Sequence, residues 1–348
     1  MAEFDPSKKW VELHLHLDGA VRTETLLEVA RRRGLSLPAD TVDDLVPHVS
    51  MNNPGHIDDM FHAFHTLIPV LSGDHAAIRR IAYELCEDQA QQGVVYFEAR
   101  YCPHLLTSNL TGESGDDPTA AEVVELVNAG LQQGSKDYNI QARSLLCAIR
   151  EHPEWSHEMV ELCGKYSSDG VVGLDLAGGK VGYKEDANLP HIKAFQDAQR
   201  LGVHRTIHAG EVGGPEIVEE AVTEMHAERI GHGYHVLDDE DLYQRLKKEG
   251  MHFEVCPVSS YMTGAVQTDF KQHPAKRFAQ DGANFSLSSD DPRVFLTSLT
   301  RERKFVKENW GFDDALISTL NLNAARACFL PEADKARLVS HVQMLQGP

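Results

Sequence analysis

Short runs rich in apolar, β-branched and aromatic residues return eight times along this chain, and the segments between them repeat apolar residues at spacings of three and four. The runs cover 11–17, 94–101, 142–149, 171–176, 205–209, 229–233, 252–256 and 284–288. Between them, Leu26, Leu27, Val29 and Ala30, then Ala120, Val123, Val124 and Val127, then Ile217, Val218, Ala221 and Val222 each mark one face of a helix. Strands alternating with helices predict βα units on a parallel sheet, and apolar runs predict strands buried on both faces. Eight units are the count of a closed (β/α)8 TIM barrel, an α/β fold; a doubly wound open sheet is the alternative.

Two stretches break the alternation. Residues 23–92 hold at least three helical patterns, broken at Leu37-Pro38, Asn53-Pro54-Gly55 and Ser72-Gly73-Asp74, which predicts a helical insertion above the first strand. Residues 107–119 are polar and rich in Gly and Asp, as an exposed loop would be. Beyond the eighth run, 292–348 carries helical patterns alone and predicts extra C-terminal helices. Barrels of this length form one domain, so the expectation is a single barrel domain over 1–348.

Charge and cysteine usage narrow the function classes. The chain carries 53 Asp+Glu against 33 Lys+Arg, a formal charge of −20, with no polybasic block; such a surface repels nucleic-acid phosphates and anionic lipid. No apolar run nears the roughly 18 residues a membrane span needs. The first residues lack an apolar stretch behind a basic patch, so a cytoplasmic location is expected and the Asn109-Leu110-Thr111 sequon is set aside. The six cysteines stand singly, without a CxxC pair, as reduced buried thiols do.

The chemistry gathers at strand ends. On the first strand, period-2 alternation predicts Glu12, His14 and His16 on one face, the two imidazoles about 7 Å apart along the strand. His208 ends the fifth run, His232 lies in Gly231-His232-Gly233 at the sixth, and Asp290-Asp291-Pro292 follows the eighth. In a barrel these C-terminal ends form the active-site floor. Each residue has a bland alternative: a core histidine, a tight turn, a helix N-cap before proline. Together, two or three His and one Asp from different strands form a zinc or iron site with N and O ligands and a position left for water. Rival motifs are missing: no PCxxC follows any HxE, and there is no HExxH, GxxxxGK[ST] or GxGxxG.

The segments VELHLHLDGAVRTETLL, VVYFEARYCPHLL, LDLAGG, HRTIHAGEVG, ERIGHGYH, FEVCPVSSYMTGA, SLSSDDP and NLNAARACFLP, in that order, resemble the adenosine deaminase family of metal-dependent hydrolases, above all its animal cytosolic type. The resemblance runs from about Val11 to Pro331. It implies hydrolysis of adenosine and 2′-deoxyadenosine to the inosine nucleosides and ammonia, in purine nucleoside catabolism and salvage. It also implies one Zn²⁺ per chain on His14, His16, His208 and Asp290, with His232 beside the attacking water. Glu211 takes the general acid's place, serving ring N1, and its pKa must be raised by burial near Asp290 and Asp291. Asp291 takes the place of the N7 partner, the Gly178 N–H that of the N3 donor, and Asp18 with His16 that of the 5′-hydroxyl pair.

A carboxylate near the 5′-hydroxyl favours a free nucleoside over a nucleotide. The expected partner is therefore a small-molecule nucleoside, with no nucleic acid, no membrane insertion and a monomeric chain. In the insertion, Ile57, Met60, Phe61, Phe64, Leu67 and Ile68 form an apolar stripe, read either as a packed helix face or as a lid over the purine. Met60 stands where mammalian members of the family carry Phe.

Overall fold

The computed structural model describes residues 5, 7–107, 117–179, 188–266 and 269–346. Its eight strands are β1 (Trp10–His16), β2 (Val94–Tyr101), β3 (Gln141–Ile149), β4 (Val171–Ala177), β5 (His204–Ala209), β6 (Arg229–His232), β7 (His252–Val255) and β8 (Phe285–Leu287). They lie in sequence order, every paired neighbour parallel. The seam forms just past β8, where Asp290 bridges Leu15. The Asp290 N–H donates to the His14 carbonyl at 3.1 Å and the His16 N–H to the Asp290 carbonyl at 2.8 Å. This is the (β/α)8 barrel, and each strand end falls within one residue of its sequence expectation.

The insertion after β1 folds into α1 (Thr23–Arg33), α2 (Val42–Val49), α3 (Ile57–Leu71) and α4 (His75–Gln91). The three breaks seen in the sequence separate these helices. Thr41, His56 and Asp74 cap α2, α3 and α4, each side chain accepting a backbone N–H of the first turn that has no partner within the helix. Around the barrel follow α5 (Ala120–Tyr138), α6 (Ser156–Lys165), α7 (Leu189–Arg200), α8 (Pro215–Thr223), α9 (Glu240–Glu249), α10 (Pro257–Met262) and α11 (Pro274–Asp281). After β8 come α12 (Leu299–Trp310), α13 (Asp314–Ala327) and α14 (Glu332–Gln346), the expected closing layer. Most of the polar stretch 107–119, including its sequon, lies outside the described residues.

Strict alternation fails at one place in β1. Relative to β2, β1 carries one extra residue between Glu12 and Leu15, a bulge that resets which side chains face inward. Glu12 therefore leaves the histidine face: its Oε1 accepts the Ser289 N–H at 2.7 Å and the Ser289 hydroxyl at 2.6 Å, and Gln89 and Arg303 are its other polar neighbours. His14 and His16 stay together, ring centroids 5.5 Å apart. All six cysteines are free and buried. Among the described residues no helix is long and apolar enough to cross a membrane.

Candidate active site

At the C-terminal mouth of the barrel lies a cavity of about 700 Å³. His16, Asp18, Gly178, His208, Glu211, His232, Asp290 and Asp291 all line it, and His14 is buried beneath. His14, His208, His232 and Asp290 each offer a ligand atom within 4.8 Å of the others. His16 joins them from the cavity side, its Nε2 at 3.2 Å from His208 Nε2 and 3.3 Å from Asp290 Oδ1. Two of these residues hold unusual backbone: His232 and Asp290 both have φ of 63°, a left-handed conformation seldom adopted by non-glycine residues and concentrated at functional sites.

What orients the imidazoles is a lattice of charges sealed inside the barrel. Glu254 Oε2 lies 2.7 Å from His14 Nδ1, and Asp175 Oδ1 lies 3.2 Å from His208 Nδ1. A carboxylate only accepts, so each ring carries its proton on Nδ1 and turns the Nε2 lone pair toward the cluster. Arg100 spans the two carboxylates, at 3.0 Å from Asp175 and 2.8 Å from Glu254, and Arg229 ties Glu254 to Glu98 at 2.7 Å each. Burial alone would raise both acids. The His208 Nδ1–H and the Arg100 charge instead hold Asp175 below the ordinary carboxylate range, and Arg100 and Arg229 do the same for Glu254. The sequence reading missed these residues, although Glu98, Arg100, Asp175, Arg229 and Glu254 are charges set inside apolar strand runs, a signal of paired interior ions.

The cluster suits a metal ion. His14 Nε2 is fully buried 3.2 Å from Asp290 Oδ1 yet makes no aligned hydrogen bond, and the Nε2 atoms of His16 and His208 face each other without a proton from the Nδ1-protonated His208. Converging imidazole lone pairs and a carboxylate, with no thiolate among them, are a zinc-type donor set. Ser259 fixes that carboxylate, donating to Asp290 Oδ2 at 2.5 Å.

Beside the cluster sit acids whose pKa burial raises. Glu211 is pushed up to about 8, first by burial and then by the charge of Asp290, and Thr263 lies 3.4 Å from its Oε1. Its Oε2 is 3.4 Å from His232 Nε2. Asp291 is raised well above the usual range by burial and by Asp290 and Asp18, and its buried Oδ1 has no hydrogen-bond partner. Burial lifts Asp18 to about 6. To the same cavity α3 supplies Ile57, Met60, Phe61, Phe64 and Ile68, with Asp58, His62 and His65 among them, whereas Leu67 of the apolar stripe packs into the core. No Lys or Arg lines the cavity among the described residues.

The family model described as Adenosine deaminase matches residues 9–345. Adenosine deaminase of Gallus gallus is 47% identical over 342 residues, covering 97% of this chain and 95% of that protein. Among solved structures, the Arabidopsis N6-mAMP deaminase superposes with a TM-score of 0.82 at 28% identity, covering 97% of this chain and 98% of that one. An amidohydrolase from Burkholderia ambifaria with bound Zn superposes with a TM-score of 0.82 at 25% identity, covering 98% and 92%.

The charge lattice sets an expectation for stability. Replacing Arg100 by Met keeps an unbranched apolar stem but removes the guanidinium and leaves two buried carboxylates without it, so Arg100→Met should destabilise the fold by about 3–5 kcal/mol. Urea unfolding at neutral pH measures this, and a loss below about 1 kcal/mol would contradict the pairing.

Proposed function

Because the chain belongs to the adenosine deaminase family, we propose that it hydrolyses adenosine and 2′-deoxyadenosine to the inosine nucleosides and ammonia, in purine nucleoside catabolism and salvage. The chain is a hydrolytic deaminase; the nucleoside substrate, the zinc ion and the residue roles are our reading. One observation carries it: a donor set of imidazoles and a carboxylate shares a cavity floor with a carboxyl group held protonated near neutral pH.

Three imidazoles and a carboxylate, from His14, His16, His208 and Asp290, would hold one Zn²⁺ per chain. When bound, the ion supplies Lewis acidity that brings the pKa of water from 15.7 to about 7. The remaining steps belong to the chain. Water adds across the C6–N1 bond: its oxygen joins C6, His232 accepts its proton, and Glu211 delivers a proton to N1. His232 then returns its proton to the exocyclic amine, which leaves as ammonia as its bond to C6 breaks, and the C6 hydroxyl gives its proton to Glu211 as the purine becomes the 6-oxo product. N7 is an acceptor, so the residue opposite must carry a proton, which the raised pKa of Asp291 supports. The Gly178 N–H would meet N3. Asp18, with His16 beside it, would accept the 5′-hydroxyl.

The cavity's charge favours a nucleoside over a nucleotide. It offers Asp18, Asp58 and Glu151 as well as the acids on its floor, and no described Lys or Arg to receive a phosphate. We place the protein in the cytoplasm, acting as a monomer.

Three measurements test the reading. Elemental analysis should find about one zinc per chain, and His16→Ala should lose the metal and the activity together while the barrel still unfolds cooperatively; full activity in metal-free protein would refute the metal's role. Glu211→Gln keeps a hydrogen-bonding group but has no proton to give, so kcat should fall by about 10²–10⁴ with a smaller change in KM, followed as loss of adenine absorbance. AMP would bring a dianion beside Asp18. Like charges a few ångströms apart cost about 4 kcal/mol at an effective dielectric near 20, so AMP should be used at least about a thousandfold less well than adenosine. Comparable kcat/KM for the two would assign the site to nucleotides, and Asp18→Asn should narrow the gap.

A further inference from the structure

The rim of the cavity between β3 and β4 is built from backbone with no rigidity of its own. β4 ends at Ala177 and runs into two glycines, Gly178 and Gly179. Gly178 has φ of 113°, a conformation side-chain-bearing residues rarely adopt, and consecutive glycines are the least restrained backbone a chain can carry. Something outside the turn must hold it.

The residues that follow β3 do so. The Arg150 N–H donates to the Ala177 carbonyl at 2.9 Å, fixing the strand end. Next in sequence, the Glu151 carboxylate accepts the Gly179 N–H on Oε1 at 2.7 Å, a charge-assisted bond. Its Oε2 sits against Gly178, 2.3 Å from where a Cβ would project, so the carboxylate and the bare glycine occupy one another's space. On its other side the turn meets α3: a Cβ on Gly179 would lie 3.2 Å from the Phe61 ring. Glu151, Gly178 and Phe61 all line the cavity. Glu151 is itself solvent-exposed, which makes it a poor candidate for a core-stabilising residue.

We infer that Glu151 is a positioning and specificity residue, its carboxylate clamping the Gly178–Gly179 turn so that the Gly178 peptide presents a fixed donor to the N3 edge of the purine. This rests on the reading above that Gly178 meets N3. Without the clamp the turn samples other conformations, and binding must select the competent one, which weakens affinity in proportion to its population. Chemistry at C6, on the opposite side of the ring system, is served by other residues.

The test uses the full-length enzyme with two substitutions and a pair of product nucleosides differing at one ring atom. Glu151→Ala should raise KM for adenosine about tenfold while kcat changes less than about threefold; Glu151→Gln, which keeps an acceptor oxygen, should recover most of the loss. The second readout is competitive inhibition by inosine and by 3-deazainosine, which has a carbon in place of N3. Wild type should prefer inosine by about tenfold or more, Glu151→Ala should bring the ratio close to unity, and Glu151→Gln should retain it. A wild-type preference that Glu151→Ala leaves intact, with KM unmoved, overturns the clamp alone. A wild type with no preference for inosine overturns the Gly178–N3 reading and the inference built on it. A parallel fall in kcat and rise in KM, with a lowered Tm and the inosine preference kept, would mark a merely structural residue and also overturn the clamp.

Discussion

Two arginines and three carboxylates share the buried interior of the barrel, and the rest of the site hangs from that arrangement. Arg100 and Arg229 do not neutralise Glu98, Asp175 and Glu254 completely; one negative charge remains, and the ring N–H groups of His14 and His208 are turned toward it. An ionic group of this kind is expensive to bury, and an apolar core of the same volume would be at least as stable. What it provides is orientation. Each imidazole is fixed in tautomer and in direction by a carboxylate that is itself fixed by a guanidinium, so the Nε2 atoms converge without relying on their own backbone.

The cavity above divides into two electrical environments. Helix α3 contributes most of the apolar lining, with Asp58, His62 and His65 among it, while the floor carries Asp18, Glu211, Asp290 and Asp291, buried in the same enclosure. Low dielectric and mutual repulsion cannot be met by ionising all four. Asp290, among the histidines, takes the negative charge and is held well below its ordinary range although burial opposes this, and its charge in turn helps to keep Glu211 and Asp291 protonated. Asp290 and Asp18, the latter lifted only to about 6, ionise near neutral pH, whereas Glu211 and Asp291 keep their protons, a sorting of like groups by their neighbours that acid-base sites commonly use.

Much of this was legible in the sequence. The strands were marked by apolar runs and the insertion's helices by Pro and Gly punctuation, and His14, His16, His208, His232 and Asp290 stood at strand ends, where a barrel gathers its chemistry. Glu12 was misplaced because a bulge adds a residue to one strand only, and whether a strand carries one depends on its partner's register, which sequence alternation does not contain. The interior lattice was visible only as isolated charges in apolar runs. Pairing Arg229 with Glu98 and Glu254 requires knowing how the strands curve around a common axis, which is a property of the closed barrel rather than of any segment.

The barrel's seam runs through the ligand cluster. Leu15 bridges Asp290, the backbone bonds flanking that bridge belong to His14, His16 and Asp290, and the His14 N–H reaches the Ser288 hydroxyl across 274 residues of chain. Among the strand pairings, the contact that brings first strand to last has the greatest loop to close, and it comes with the assembly of three of the candidate ligands. Such a site has no partial form: an incomplete or misregistered chain owns the individual histidines but not their geometry. Whatever binds there draws its affinity from the closed ring alone and by mass action favours closure, so occupancy acts as a latch on the whole circuit of strands and reports that the ends have met.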